Sequence, residues 1–300
     1  MSPKKVVLIT GASTGLGLAF AKKLIAEEEY QLVLTARKSS LQRFEHEGIE
    51  DSDDLMIAEL DVTDKQQRID LIGKILDRFG KIDVLINNAG LALRSVVEDA
   101  TADDRRDILD VNYISPMRLI ALVLPQMRKR RSGQIINISS AAGLVGMPTM
   151  ASYCGSKFAL EGATESLWYE VKPWNIKVSS VIPGFINSDA FVKTRLTTQS
   201  LNSILSNGKD PYFYHYKYME ILIEWTMKHT IATPETIANK VARLIKRKRP
   251  PLRVPVTIDA WFLHLFRRFA PRVIYHWVIF KFLPKSSRWG KDSYRERFVG

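Results

Sequence analysis

Residues able to do acid-base chemistry lie together between positions 139 and 157 of this 300-residue chain. Tyr153 and Lys157 are four positions apart, so on a helix they share one face and the lysine ammonium can approach the phenol. A tyrosine with its ordinary pKa of about 10 transfers protons poorly at neutral pH, and a nearby cation lowers that pKa. Ser140 follows the apolar run 134–138 and places a hydroxyl at the carboxyl end of a predicted strand, where open α/β sheets bind ligands. A surface helix with a half-buried tyrosine and a solvated lysine would show the same spacing, so other stretches must decide.

A glycine-rich turn stands between the strand-like run 6–9 and the amphipathic stretch 18–28. It reads Thr10-Gly-Ala-Ser-Thr-Gly-Leu-Gly17, with the spacing Gly-x-x-x-Gly-x-Gly. Glycines let the backbone approach a pyrophosphate closely, and the free N–H groups of a helix amino terminus bind the anion. A merely tight connection is the alternative, but the position between an apolar strand and a helix favours a dinucleotide site.

The end of the second predicted strand, 31–36, carries the residues Arg37 and Lys38. In dinucleotide folds an acid at this point accepts a hydrogen bond from a free ribose 2′-hydroxyl, whereas an arginine binds a 2′-phosphate. The absence of an acid here points to NADP, with a solvated Arg-Lys pair as the competing interpretation.

Two further predicted strands end in polar residues. The run 55–60 leads to Asp61-Val62, where a carboxylate would touch the adenine, and the run 82–86 leads to Asn87-Asn-Ala-Gly90. A turn held by its side-chain amides would lie along the cofactor, although turn stabilisation alone explains these asparagines almost as well.

Strands and helices alternate along most of the chain. Helical patterns cover 64–79, 102–111, 115–130 and 152–171, and the β-branched run 176–182 closes at Pro183-Gly184. Asn112 falls at the junction of two of these helices, as a cap or as the cause of a kink. The alternation predicts an α/β fold with a doubly wound parallel sheet covered by helices on both faces.

Composition and charge narrow the class of protein. The chain is 46% hydrophobic and 25% charged, as in ordinary globular proteins, and no metal-ligating pattern stands out. The single cysteine, Cys154, excludes an intrachain disulfide and indicates a reducing, cytoplasmic environment, and we expect it to pack within a helix rather than act as a nucleophile. No cleavable signal peptide is expected before the first strand.

Residues 243–300 hold 15 Lys and Arg against 3 acidic residues, so the net charge of +12 belongs to this tail.

Taken together, these motifs resemble the short-chain dehydrogenase/reductase family, and its hydroxysteroid and retinol dehydrogenase-like members, over roughly residues 4–256. The resemblance implies a Rossmann-like sheet of seven strands, a nicotinamide cofactor, which the residues after the second strand indicate to be NADP(H), and hydride transfer between C4 of the nicotinamide and a carbonyl or secondary alcohol. It implies a catalytic domain over 1–256 with a substrate lid over 185–232, and the residues beyond it, 257–300, are expected to form a C-terminal helical extension.

The resemblance also implies individual roles. Tyr153 would donate the proton in the reducing direction, Ser140 would hydrogen-bond the carbonyl oxygen, Lys157 would lower the tyrosine pKa and hold the nicotinamide ribose, and Asn112 would anchor a water that relays protons. Ser188 stands where the family often has a threonine that contacts the carboxamide. The implied cofactor-binding residues are Gly11, Ser13, Thr14, Gly15, Leu16, Gly17, Arg37, Asp61, Val62, Asn88, Ala89, Gly90, Tyr153, Lys157, Pro183, Gly184 and Ser188.

The lid segment and the tail both carry many aromatic residues. Those of 185–232 would line an apolar pocket for a lipophilic substrate, or simply pack the lid down. In the tail we expect two short amphipathic helices that meet at Pro271, because charges interrupt every apolar run before it reaches membrane-spanning length. The stretch 257–284 suits the surface of an anionic membrane, and a helical flap packed on the domain or on a dimer partner competes with this interpretation. Nucleic acid is a distant third, since no recognition motif accompanies the charge.

These observations predict an NADP(H)-dependent oxidoreductase that acts on a lipophilic ketone or alcohol, such as a steroid, a retinoid or an acyl-chain derivative. The alternative is a non-catalytic NADP(H)-binding scaffold or redox sensor. The resemblance further implies a homodimer paired through the fifth and sixth helices.

Overall fold

The structure is a computed structural model that describes residues 3–187 and 194–290. Within these residues, seven parallel strands form one sheet in the order β3-β2-β1-β4-β6-β7-β9. The strands of this sheet are β1 (Lys5–Ile9), β2 (Tyr30–Ala36), β3 (Leu55–Glu59), β4 (Val84–Asn87), β6 (Gly133–Ile138), β7 (Ile176–Ile182) and β9 (Arg253–Pro255). The predicted seven-stranded, doubly wound sheet is therefore confirmed.

Helices cover both faces of the sheet and also form the lid and the tail. The helices are α1 (Gly15–Ile25), α2 (Gln42–His46), α3 (Lys65–Phe79), α4 (Ala102–Leu109), α5 (Ser115–Arg130), α6 (Ala151–Val171), α7 (Thr198–Leu205), α8 (Phe213–His229), α9 (Pro234–Lys246), α10 (Ile258–Phe269) and α11 (Arg272–Phe282).

The core lies in two layers, one on each face of the sheet. Side chains alternate along β1, so that Val7 and Ile9 face the layer of α1 and α9 while Val6 and Leu8 face the layer of α3, α5 and α6. All four are fully buried, as in parallel strands covered on both sides.

The strand order reverses direction at β1, and the carboxyl ends of β1 and β4 open a crevice there.

Within the part of the chain that the structure describes, one helical stretch is long and apolar enough to span a membrane. It runs over 102–130 and joins α4 to α5 through a π-helical turn at Asp110–Ile114. This is weak evidence for a span, because Leu119 and Val123 of α5 belong to the core beneath the sheet. The turn brings Asn112 inward, which confirms the predicted junction between two helices.

Two short features of the fold were not predicted from the sequence. The two-residue strands β5 (Leu93–Arg94) and β8 (Arg195–Leu196) pair in parallel and join the lid segment to the loop after β4. The short helix α2 comes after β2, beyond a 3₁₀ turn at Lys38–Ser40. By contrast, the two predicted tail helices are confirmed, since α10 and α11 meet at Pro271.

Candidate active site

A cavity of about 770 Å³ lies over the carboxyl ends of the central strands. Most of the residues predicted from the sequence line it: Gly11, Ser13, Thr14, Leu16, Arg37, Asp61, Val62, Asn88, Ala89, Gly90, Ser140, Tyr153, Lys157, Pro183 and Gly184. Gly15, Gly17 and Asn112 lie outside this lining. Ser188 lies outside the described residues.

The glycine-rich turn needs glycine for two different reasons. Gly11 and Gly15 have φ angles of +64° and +56°, in the left-handed region that L residues with a side chain avoid. Gly17 has no room for a side chain, because a Cβ there would collide with the carbonyl oxygen of Gly11 and the amide of Asn88. Helix α1 begins at Gly15, and Thr14 at its N-cap makes no side-chain cap hydrogen bond, so the first-turn N–H groups face the anion-binding position.

Asn88 braces the glycine-rich turn from the neighbouring strand. Its Nδ2 donates to the carbonyl oxygens of Thr10 and Gly11, each at 3.0 Å. The backbone N–H groups of Asn88 and Ala89 both donate to Thr10 Oγ1, also at 3.0 Å. Thr10, which the sequence did not single out, therefore fixes the distance between the two loops that border the crevice.

The predicted catalytic side chains converge at one point of the cavity wall. Lys157 Nζ donates to the Ile138 carbonyl oxygen at 2.9 Å and lies 5.9 Å from the centre of the Tyr153 ring. Ser140 hydrogen-bonds the Tyr153 phenol, and its own Oγ accepts from the Ala142 backbone N–H at 3.1 Å. A hydroxyl, a phenol and an ammonium thus stand together beside the crevice.

Burial determines the proton affinities of this cluster. It lowers the pKa of Lys157 to about 8, against an opposing effect of the Glu161 carboxylate one turn further along α6. Burial also raises the pKa of Tyr153, and the hydrogen bond from Ser140 partly offsets that effect. The direction is opposite to the one that the Tyr153–Lys157 spacing predicted, because desolvation of the phenol outweighs the effect of its neighbours.

Asn112 holds the site together from beneath. Its Oδ1 accepts from Leu91 N at 2.8 Å, and its Nδ2 donates to Leu91 O at 2.8 Å and to Ser156 Oγ at 2.9 Å. Asn112 donates both protons of its side-chain amide, so a relay water would have to donate a hydrogen bond to Asn112 Oδ1 or to the Asn112 backbone carbonyl oxygen. Gly90 permits this arrangement, since a Cβ there would lie 3.2 Å from Asn112 Oδ1 and 3.8 Å from Lys157 Nζ. The water relay itself stays a prediction.

The far end of the cavity is cationic. Arg37 and Arg43 both line it, together with Ser40, whose backbone N–H donates to the Arg37 carbonyl at 2.8 Å in a tight turn. Asp61 faces the same end, and its Oδ1 accepts from the backbone N–H and the hydroxyl of Thr63 at 2.9 and 2.7 Å. Sequence reasoning missed Arg43, which lies in the unpredicted helix α2.

The turn after β7 forms the wall opposite the glycine-rich turn. Gly184 N donates to Thr257 Oγ1 at 2.8 Å, and Phe185 N donates to Asp259 Oδ2 at 2.9 Å. A Cβ on Gly184 would overlap the Asp259 carboxylate. The first turn of the tail helix α10 therefore supports the cavity directly.

Comparison with known proteins now decides the family. A family model described as short chain dehydrogenase matches residues 5–199. The chain belongs to the short-chain dehydrogenase family.

Individual members of the family resemble nearly the whole chain. Human retinol dehydrogenase 8 is 33% identical over 258 residues, which cover 83% of this chain and 80% of that protein. The 3-ketodihydrosphingosine reductase of Bacteroides thetaiotaomicron is 33% identical over 256 residues, covering 85% and 88%. A crystal structure of a short-chain dehydrogenase from Streptomyces avermitilis matches with a TM-score of 0.78 at 29% identity, covering 93% of this chain and 98% of that one. The protein is therefore an oxidoreductase with the short-chain dehydrogenase fold.

The cavity of this short-chain dehydrogenase fits a nicotinamide dinucleotide. Left-handed Gly11 and the uncapped start of α1 suit a pyrophosphate, and the cationic end suits a phosphorylated or free ribose. Tyr153 and Lys157 line the opposite part, where the nicotinamide and its ribose would lie. Ser139 also lines the cavity, and its buried hydroxyl has no hydrogen-bond partner among the described residues.

The end of the cavity next to the lid is largely apolar, but not in the way predicted. Phe185, Ile186, Ile223 and Met227 line it beside Thr194 and Arg195, and the cluster of tyrosines at 212–218 does not. Tyr216 instead packs the lid down: it is fully buried, and its hydroxyl donates to Asp99 Oδ2 at 2.7 Å. The prediction that these tyrosines line the pocket is therefore wrong, and for Tyr216 the reason is that its hydroxyl group bonds polar partners beneath the lid. The competing expectation, that lid aromatics serve packing, is confirmed for Tyr216.

Proposed function

We propose that this enzyme interconverts a lipophilic carbonyl compound and its alcohol with NADP(H), and that Tyr153 transfers the proton. The observation that carries the proposal is the convergence of Ser140, Tyr153 and Lys157 between the glycine-rich turn and the apolar end of one cavity. A pure nucleotide-binding scaffold would need the glycine-rich turn but not the phenol and hydroxyl beside it.

The protein's side chains divide the work of proton transfer. The Ser140 hydroxyl, whose Oγ accepts from the Ala142 N–H, would donate to a substrate carbonyl oxygen in place of the Tyr153 phenol and stabilise negative charge there. Tyr153 in its protonated form gives the proton to that oxygen during reduction and takes it back during oxidation. Lys157, held by the Ile138 carbonyl, stays largely protonated at neutral pH and contributes a positive charge to the site. A bound nicotinamide supplies or accepts the hydride.

The choice of NADP over NAD rests on the cationic end of the cavity. Arg37, Arg43 and the Ser40 hydroxyl line the region where the adenosine ribose would lie, and no acid follows β2 directly. Guanidinium groups bind phosphate oxygens by charge-assisted hydrogen bonds, which favours the 2′-phosphate.

The lipophilic substrate is proposed on two grounds. Apolar side chains line the substrate end, among them Met147, Met150, Ile186, Ile223 and Met227. The two relatives described above are named for a retinoid and for a long-chain sphingoid base, both of which are lipophilic.

A direct assay tests the proposal. Purified protein is supplied with NADPH or NADH and a panel of retinal, a keto-sphingoid base and steroid ketones, and nicotinamide oxidation is followed by absorbance. We expect turnover that prefers NADPH, and a loss of at least about a hundredfold in Tyr153→Phe with NADPH binding retained. An equally active Tyr153→Phe variant would remove the proposed acid. Tight NADPH binding without turnover of any substrate would instead support the scaffold.

We also propose a homodimer. A groove between α5 and α6, lined by Met117, Leu124 and Leu167 among others, presents apolar surface on the pair of helices through which the family is expected to associate. Light scattering after size exclusion tests it, and Met117→Glu should give monomers.

A further inference from the structure

We propose that α10 and α11 dock this protein on an anionic lipid surface and hold the apolar end of the cavity next to it. The docking does not depend on the proposed function. The delivery of substrate from the lipid to the cavity does rest on the proposed lipophilic substrate, and docking and delivery have separate tests.

Helix α10 has one face on the domain and an apolar face in solvent. Ala260 is fully buried against Ala141, Leu144 and Ile182, which anchors the helix beside the loop that follows Ser140. Trp261, Phe262 and Phe269 point away from this contact, with 57, 58 and 73% of their surface exposed. Exposed aromatic residues at this density mark a surface that is covered by something else.

Helix α11 extends the same pattern. Tyr275 is buried and packs against Phe266 of α10, with 5.4 Å between ring centres, so the two helices form one unit. On the exposed side, Val273, Trp277 and Phe282 have 83, 61 and 79% of their surface in solvent. The helices are 12 and 11 residues long, too short to cross a bilayer but suited to lie in its interface.

Charge identifies the occupant as an anionic lipid surface. Arg268 and Lys281 are exposed and stand over the rings of Phe269 and Trp277, at 5.7 and 5.9 Å. In the sequence from 257 to 290 the single acidic residue is Asp259, and its carboxylate is turned inward to Phe185 N. A second copy of this chain would bring equal positive charges together across a symmetric contact, which disfavours self-association through this face. Aromatic and cationic side chains side by side are what an anionic membrane interface attracts.

The docked unit is continuous with the walls of the cavity. At its start, Thr257 and Asp259 hold the backbone of Gly184 and Phe185, which line the cavity. At its end, Trp289 packs in one cluster with Ile223 of the lid helix, and Ile223 lines the apolar end. A lipid surface that covers α10 and α11 would therefore lie against elements that form the substrate end.

Vesicle co-sedimentation of the full chain tests the docking without any assay of activity. We expect the protein to pellet with phosphatidylcholine vesicles that contain phosphatidylserine and to pellet much less with phosphatidylcholine alone. The variant Phe269→Ser/Trp277→Ser should weaken binding at least about tenfold, since it removes two interfacial aromatics. The variant Arg268→Gln/Lys281→Gln should weaken binding to the anionic vesicles in particular.

Matched controls keep the test specific. Tyr169→Ser removes an aromatic that is 61% exposed near the carboxyl end of α6, and Lys74→Gln/Lys129→Gln removes two exposed charges from α3 and α5. Both should bind vesicles like the wild type. Equal sedimentation of the aromatic variant and the wild type, or wild-type protein that stays in the supernatant, would overturn the proposal. So would a change of oligomeric state in the aromatic variant without vesicle binding, which would assign the face to a protein contact.

Kinetics test the delivery. Anionic vesicles should lower the KM of the wild type for a membrane-dissolved carbonyl substrate several-fold and leave its KM for a water-soluble aldehyde unchanged. In Phe269→Ser/Trp277→Ser the vesicles should leave both KM values unchanged. Vesicle binding with an unchanged KM would overturn delivery and leave docking in place. Activity on neither substrate would instead reject the proposed function, which the sedimentation result does not require.

Discussion

The carboxylate of Asp259 accepts a hydrogen bond from the backbone N–H of Phe185, with 2.9 Å between Phe185 N and Asp259 Oδ2. The contact joins residues 74 positions apart and binds the first turn of α10 to the turn that follows β7. Asp259 also occupies the space that a side chain at position 184 would need. The tail of this short-chain dehydrogenase therefore supports two residues of the cavity wall, Gly184 and Phe185, from behind.

Replacement of Asp259 should disturb both stability and activity. Asp259→Ala leaves the Phe185 N–H without its acceptor, so we expect a loss of about 1–2 kcal/mol in the free energy of unfolding and about a tenfold lower kcat/KM. Asp259→Asn keeps an acceptor oxygen and should retain most of both. Chemical denaturation and steady-state kinetics measure the two effects. The control is Asp103→Ala, whose carboxylate is 83% exposed in a surface ion pair with Arg106 and should matter little. An Asp259→Ala variant indistinguishable from this control would show that the contact is dispensable.

Gly17 tests whether the glycine-rich turn is required by packing. Gly17→Ala places a methyl group against the Gly11 carbonyl and the Asn88 amide, and overpacking of this kind costs about 1–3 kcal/mol. Because both neighbours border the crevice, we also expect NADPH affinity to fall at least about tenfold, as measured by fluorescence titration. Gly73→Ala in α3 meets no atom within 4 Å and should stabilise the protein by about 0.5–1 kcal/mol. Unchanged NADPH affinity in Gly17→Ala would contradict the assigned role of the turn.

The sequence was sufficient for the sheet and for most of the site, for reasons that are local. Buried parallel strands are recognised in the sequence as β-branched apolar runs. The residues that follow these strands line the crevice at the carboxyl ends of the sheet, independently of the conformation of the longer loops. The missed features depend on contacts that no short pattern records. Helix α2, which supplies Arg43, is five residues long and has too few turns to show a period. The contact of Asp259 with Phe185 arises only from the packing of the tail.

The raised pKa of Tyr153 shows a second limit. Spacing on a helix predicts which side chains are neighbours, but the direction of a pKa shift also depends on how far the group is removed from water. Lys157 is 6% exposed, so the same burial disfavours its charge even though its ammonium donates a hydrogen bond to the Ile138 carbonyl oxygen. Burial of this kind follows from the complete packing of α6 on the sheet and is not visible in four residues of sequence.

Burial of Lys157 should make stability depend on pH in the alkaline range. Its pKa falls from 10.5 to about 8 on folding, so between these values the unfolded chain binds more protons than the folded one, and the free energy of unfolding rises with pH. Below about pH 8 both states are protonated, and the full cost of the buried charge, about 3 kcal/mol, applies. We therefore expect wild type to gain stability relative to Lys157→Met as the pH rises from 8 to 10.5. Urea denaturation of both proteins across this range isolates the difference, and parallel pH profiles would refute the buried charge.

The cationic end of the cavity yields a prediction about cofactor choice. Arg37 and Arg43 line the region of the adenosine ribose, so Arg37→Ala and Arg43→Ala should each raise the KM for NADPH about tenfold or more and change the KM for NADH much less. The double variant should lose the preference for NADPH, since both proposed phosphate partners are then gone.

Lys38→Ala is the matched control for this pair, because Lys38 follows Arg37 directly and is exposed but does not line the cavity. It removes the same charge from the same turn, so a general electrostatic effect would appear in it as well. A selective effect of the two arginines, with Lys38→Ala close to wild type, would assign the 2′-phosphate to their guanidinium groups. Equal effects on NADPH and NADH in the arginine variants would mean that these side chains bind a part common to both cofactors, and the proposed NADP dependence would then be wrong.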